Sequence, residues 1–233
     1  MNGILSGVAR FRCDVFPTQR EIYQALARDG QSPQALVISC SDSRVSPELI
    51  TQCGPGDLFV CRNAGNIVPP HAQPAGGVSA TIEYAVAALN VAHIIVMGHS
   101  DCGAMKGLLK PEMVEGAPTV ASWLRHGRAA CEVVDQVYPA DMEAADRVAA
   151  LAQENVAQQL VHLQTHPAVA RALAAGQLTL HGWFFDIRTG AIMALDGEGD
   201  RFVALDPERP VAAVRPAVAP RAALRDPLLM AAE

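Results

Sequence analysis

The tightest constraint on the fold is a pair of short apolar runs, each ending on residues that can hold a metal. Residues 35–39 read ALVIS and lead straight into Cys40. Residues 94–97 read IIVM, stop at Gly98, and present His99 and then Cys102. Such runs are apolar throughout rather than alternating, so both faces of the strand must be covered, as in a parallel sheet. In open α/β sheets the functional groups gather beyond the carboxyl ends of the strands. If the two strands lie parallel and adjacent, Cys40 and His99 emerge at the same edge despite their distance along the chain.

The rest of the chain supplies the helices that such a sheet needs. Residues 2–30 read as two helical segments, with Ile4, Val8 and Phe11 on one face. Thr18 and Glu21 have the spacing of a capping box for the second segment. Pro47 opens a short helix to Thr51, and Leu58–Cys61 forms another strand. Residues 67–77 are rich in proline and glycine and read as loop, and Val78–Leu89 is helical. Beyond Gly103 come helices to about Leu109, over Val120–Val137 and over Met142–Leu163, then a short one opened by His166-Pro167. Leu178–Ile187 is the fourth strand, and Ala191–Leu195 returns antiparallel after the turn at Thr189-Gly190. The expected architecture is α/β, with a mainly parallel sheet of about four strands, an antiparallel edge strand and flanking helices. With no internal repeat and no linker, residues 1–233 read as one domain with an N-terminal helical arm (1–30) and a Pro/Ala-rich tail (207–233).

Composition narrows the partners. Lysine and arginine total 18 against 24 acids, a net charge of −6, with no basic patch, which argues against nucleic acid. No apolar run approaches the roughly 20 residues that span a bilayer, and the N-terminus has no signal-peptide pattern. The six cysteines are too sparse for a disulfide scaffold in a chain of this length. They read as thiols in a reducing, cytoplasmic setting, which leaves the question of which bind metal.

Cys40, His99 and Cys102 form a plausible zinc shell, because thiolate and imidazole suit that ion and disfavour magnesium or calcium. Taken alone, His-x-x-Cys is as readily a packed histidine beside a small apolar thiol. On that plainer reading Cys13, Cys53, Cys61 and Cys131 are structural, and His71, His126, His162 and His166 are surface or capping residues. His93 and His181 are strand histidines satisfied by hydrogen bonds. Asp42 and Arg44 set Cys40 apart. A guanidinium can grip a carboxylate through two parallel bonds. Held beside a metal, Asp42 could accept a hydrogen bond from metal-bound water or swing in as a fourth ligand. The alternative is a surface ion pair worth little.

These motifs together resemble the β-class carbonic anhydrases. The resemblance rests on CSDSR at 40–44, RNAGNIVPP at 62–70, IEYAV at 82–86, HSDCGAM at 99–105, LQTHP at 163–167 and LHGW at 180–183, and it covers about residues 1–205. The details are most similar to the bacterial enzymes found with cyanase or carboxysomes and to the plant chloroplast enzymes. The resemblance implies one zinc ion per subunit on Cys40, His99 and Cys102, and an aspartate–arginine dyad at Asp42 and Arg44. It places the substrate pocket at Gln31, Phe59, Ala64, Tyr84 and Gly103, although position 64 is usually a larger aliphatic residue in the plant enzymes. A subgroup of the family that closes its zinc site with the aspartate carries a tryptophan where this chain has Val37 and a glycine where it has Ser39, so the resemblance favours an open site with zinc-bound water.

The implied reaction is reversible hydration of carbon dioxide to bicarbonate and a proton, with zinc hydroxide as nucleophile, oriented by the dyad. Two thiolates leave the ion less positive than three imidazoles would, so activity should rise on the alkaline side of neutrality. Two other readings stay open on sequence alone: hydrolysis of carbonyl sulfide or carbon disulfide on the same scaffold, and a non-enzymatic zinc or thiol protein. The resemblance also implies a homodimer, or a tetramer or higher assembly of dimers, with swapped N-terminal helices and pockets shared between subunits. The location it implies is the cytoplasm or the carboxysome.

Overall fold

A computed structural model describes residues 1–72, 75–197, 201–206 and 208. Most of the Pro/Ala-rich tail expected from residue 207 lies outside the described residues.

The sheet has six strands in the order β2-β1-β3-β4-β5-β6. They are β1 (Ala35–Cys40), β2 (Leu58–Asn63), β3 (His93–His99), β4 (Thr179–Phe185), β5 (Ile192–Leu195) and β6 (Phe202–Ala204). The first four run parallel, and β5 and β6 add antiparallel at one edge. The mainly parallel sheet is therefore as expected, with one strand more. The added β6 is three residues long, too short to carry a pattern.

Every residue of β1 is buried, and six of the seven in β3 are, which explains why both read as continuous apolar runs. Leu36, Ile38, Ile94, Val96 and Leu180 point to one face and pack against Val156, Leu160 and Leu163. Val37, Ile95 and Met97 point to the other, with Val45, Ile50, Trp183 and Phe185.

The helices are α1 (Asn2–Arg10), α2 (Phe16–Asp29), α3 (Pro47–Thr51), α4 (Gly77–Glu83), α5 (Gly103–Leu109), α6 (Pro118–Leu124), α7 (Arg128–Val137), α8 (Ala144–Gln164) and α9 (Pro167–Ala174). Helix α8 lies against the sheet so closely that a Cβ on Gly98 would sit 2.8 Å from Val156 Cγ2 and 3.1 Å from the Ala152 carbonyl oxygen. Only glycine lets β3 approach the helix backbone in this way.

Two local expectations are corrected. The span 120–137 is not one helix, because a 3₁₀ turn at Arg125–Gly127 separates α6 from α7. The capping box at Thr18 does not form: α2 begins at Phe16 with Pro17 in its first turn, and the Thr18 hydroxyl donates to the Val15 carbonyl at 2.7 Å. The arm instead runs from α1 through a π-helical turn, Phe11–Val15, into α2.

None of the arm's residues is buried. Ile4, Leu5, Val8, Phe11, Val15 and Ile22 are exposed apolar side chains along it. Among the described residues no helix is long and apolar enough to cross a membrane.

Candidate metal centre and active site

The register explains how residues 40 and 99 meet. Strand β1 pairs with β3 from Ala35↔His93 to Ser39↔Met97. Cys40 is the next residue of β1, while β3 runs on through Gly98 to His99. Both side chains therefore leave the carboxyl edge of neighbouring parallel strands. Asp101 then adopts a left-handed conformation (φ 59°), turning the chain so that Cys102 stands directly before α5. The Ser100 hydroxyl donates to Asp186 Oδ1 at 2.9 Å and accepts from Ile187 N–H at 2.9 Å, tying the end of β3 to the end of β4.

The ligand atoms of Cys40, His99 and Cys102 lie within 4.8 Å of one another, and all three residues are buried. His99 Nδ1 is 2.8 Å from the Ser100 carbonyl oxygen, to which it donates, so Nε2 keeps its lone pair for the cluster. That Nε2 atom is buried and, among the described residues, has no hydrogen-bond partner. An unpaired buried nitrogen is costly, and a metal on it removes the cost. The Cys102 thiol draws the Cys40 thiol well below its ordinary pKa, against the opposing effect of burial, and His99 and then the backbone N–H groups of Gly65 and Asp42 add to the lowering. The same contact with Cys40, together with burial, pushes Cys102 up. The two sulfurs thus share a proton that a cation would displace. The soft donor set, the unpaired nitrogen and the shared proton all fit zinc. No fourth cysteine, histidine or carboxylate joins the cluster among the described residues.

Arg44 grips Asp42 as the spacing suggested. Its Nε donates to Oδ1 at 2.9 Å, its Nη2 to Oδ2 at 2.8 Å, and its backbone N–H to Oδ1 at 3.0 Å. The guanidinium hydrogen bond holds the Asp42 carboxyl well below the usual carboxylate range. Sequence reasoning did not find the partners on the far side: Arg44 Nη1 donates to Asp101 Oδ2 at 2.8 Å, and Lys106 Nζ pairs with Asp101 Oδ1. It also passed over Arg62, whose side chain donates to the carbonyls of Cys40, Asp42 and Val45 and so fixes the turn carrying the dyad.

The remaining expected residues are more scattered. Phe59 on β2 contacts Tyr84, with ring centroids 5.8 Å apart, and Tyr84 is half exposed. Ala64 is exposed in the turn after β2, and Gly103 is exposed at the first position of α5. Gln31 is exposed between the arm and β1. Two histidines read as surface or capping residues are more embedded. His166 is buried and bonds the Pro69 carbonyl through Nε2 at 3.0 Å, and partly buried His162 bonds the Val68 carbonyl through Nδ1 at 2.7 Å.

Comparison with known proteins agrees with this geometry. A family model described as carbonic anhydrase matches residues 35–192. A carbonic anhydrase of Pseudomonas aeruginosa is 50% identical over 92% of this chain and 96% of its own. One of Synechococcus elongatus is 44% identical over 84% of this chain and 71% of its own. Among solved structures, the β-carbonic anhydrase CcaA superposes with a TM-score of 0.86 at 45% identity, covering 93% of this chain and 96% of that one. A structure from Sordaria macrospora, described as one of two tetrameric β-carbonic anhydrases, gives 0.73 at 34% identity, over 87% of this chain and 98% of that one. With a strand-end Cys-His-Cys cluster and likeness of this extent, the chain belongs to the β-class carbonic anhydrase family.

Proposed function

We propose that the protein is a zinc-dependent lyase that reversibly hydrates carbon dioxide to bicarbonate and a proton. The observation that carries this reading is the Asp42–Arg44 pair standing beside a three-residue soft-ligand cluster. Cys40, His99 and Cys102 would hold the ion. Zinc bound there supplies the Lewis acidity that makes hydroxide available near neutral pH.

The dyad's part follows from counting acceptors. An ionised carboxylate has about four lone-pair positions. Arg44 occupies three of those on Asp42, which fixes the group and leaves about one to accept a hydrogen bond from the nucleophile. A carboxylate so held is steered away from becoming a metal ligand itself, in keeping with Val37 and Ser39 in place of the closed subgroup's residues. Carbon dioxide is apolar, and the Phe59–Tyr84 ring pair with Ala64 offers it an apolar wall. The Gln31 amide can donate to the oxygen on which charge develops, and Gly103 leaves open space at the start of α5.

The unburied arm supports an assembly in which α1 and α2 pack on a second copy, with pockets built from both subunits. Burial of its apolar side chains there would be favourable by about 25 cal/mol per Å².

Purified protein, assayed for zinc content and for carbon dioxide hydration, carbonyl sulfide hydrolysis and carbon disulfide hydrolysis, tests the proposal. One zinc per chain with hydration dominant is expected. Dominant hydrolysis of either sulfur gas, or zinc without turnover at any pH, would overturn it.

A further inference from the structure

The segment that follows β2 is held by side chains from distant parts of the chain. Trp123 Nε1 donates to the Ala64 carbonyl at 2.8 Å, and Asn155 Nδ2 donates to the Gly65 carbonyl at 3.0 Å. Gln159 Oε1 accepts from Val68 N–H at 2.9 Å, while its Nε2 donates to Asn155 Oδ1 at 2.8 Å. Asn155 and Gln159 are fully buried. Two buried amides spent on one loop are a large commitment, since each costs free energy unless fully paired.

The loop carries one group that reaches the metal cluster: Gly65 N–H donates to Cys40 Sγ at 3.4 Å. This N–H belongs to the same peptide unit as the Ala64 carbonyl that Trp123 holds. The next carbonyl, on Gly65 itself, is the one Asn155 holds. The peptide is thus gripped at its oxygen and just beyond its nitrogen, with its hydrogen aimed at the sulfur. Gly65 has φ +79°, and a Cβ there would lie 2.9 Å from Ala104 Cβ, so the aim depends on glycine and on the two side chains that fix the adjacent carbonyls. A donor bonded at its own carbonyl is also polarised, which strengthens its bond to the thiolate.

We infer that Trp123 and Asn155 are positioning residues for the metal centre, orienting the Ala64–Gly65 peptide so that its N–H sets the donor strength of the Cys40 sulfur. The inference rests on the reading of Cys40 as a metal ligand. Outer partners of ligands typically influence metal affinity by about 10–100-fold. A thiolate that loses a hydrogen bond is a better electron donor, so its charge-transfer band to a bound metal moves to longer wavelength.

The test uses the full chain loaded with cobalt(II), read by its sulfur-to-cobalt charge-transfer band and by competition with a chelator. W123F removes one bond at a partly exposed position, and N155L removes two in the core, the one to the Gly65 carbonyl and the one accepted from Gln159 Nε2. L160A, which removes apolar packing between α8 and the sheet and takes part in none of the loop's hydrogen bonds, serves as a control that destabilises packing. A red-shifted band and an affinity loss of about 10-fold or more in N155L, with a smaller shift of the same sign in W123F and none in L160A, is the expected pattern. Unchanged band and affinity in both loop variants, or an equal shift in L160A, would overturn the inference alone. A wild-type protein with no sulfur-to-cobalt band would overturn the ligand reading and the inference with it.

Discussion

Replacing Asp42 by asparagine isolates what the dyad does, because the two side chains have the same shape. In the native chain Oδ1 accepts two Arg44 N–H groups and Oδ2 accepts one, leaving about one free acceptor position. Asparagine keeps a single carbonyl oxygen, and the two bonds at Oδ1 use both its lone pairs. Its amide nitrogen then faces Arg44 Nη2, donor against donor, and has nothing with which to accept a proton or hydrogen bond from the nucleophile. The acceptor function is therefore removed rather than weakened. General-base assistance of this kind is worth roughly 10²–10⁴-fold, or about 2.7–5.5 kcal/mol of barrier at 1.36 kcal/mol per factor of ten. Stopped-flow hydration with a pH indicator should show kcat/KM lower by that factor. Zinc content should be unchanged, because the substituted residue is outside the ligand cluster. A variant with full zinc and a rate within twofold of the wild type would refute the acceptor argument.

Other consequences can be measured separately. G65A forces a side chain into φ +79° and toward Ala104, and should lower unfolding stability by about 1–3 kcal/mol; an unchanged urea midpoint would contradict the role given to that turn. Burial pushes His166 and His162 below the ordinary imidazole value. The folded state therefore resists protonation, so stability is full above about pH 6.5 and falls as pH drops toward the lower folded values. Urea midpoints should decline from pH 7.5 to 5.5, and less steeply in H166Q; equal slopes would rule out a contribution from His166. A chain lacking residues 1–20 should sediment as a smaller species than the full chain, and unchanged sedimentation would argue against an arm that joins subunits.

The parts of the site that lie along one strand and its end were legible in the sequence. Cys40, His99 and Cys102 could be read because the apolar runs before them fix strand, direction and edge, and Asp42 with Arg44 because two residues of spacing already permit the pair. What escaped notice was reach across the fold. Asp101 was overlooked as a partner of Arg44, and Lys106 as a partner of Asp101, because charged residues beside a turn look like solvated surface. Asn155 and Gln159 sit one turn apart on α8 among apolar neighbours, and pattern alone does not distinguish a buried amide pair from a polar stripe facing water. The burial of His162 and His166 was missed for the same reason, although His166 does stand at the N-cap of α9: it depends on residues 68 and 69 folding back onto them. The break at Arg125–Gly127 had Gly127 as a local signal, whereas β6 had none.

The β1–β3 register also has a kinetic consequence. The three candidate ligands come together only after a parallel pairing between strands that begin at residues 35 and 93, and non-local pairings of this kind form slowly. If that pairing forms late, binding energy from an ion at the cluster is absent from the rate-limiting ensemble and appears only in the finished structure. Interactions of that type slow unfolding and leave refolding rates unchanged. A bound ion would then act as a latch on a sheet already assembled, lengthening the lifetime of the native state without hastening its arrival.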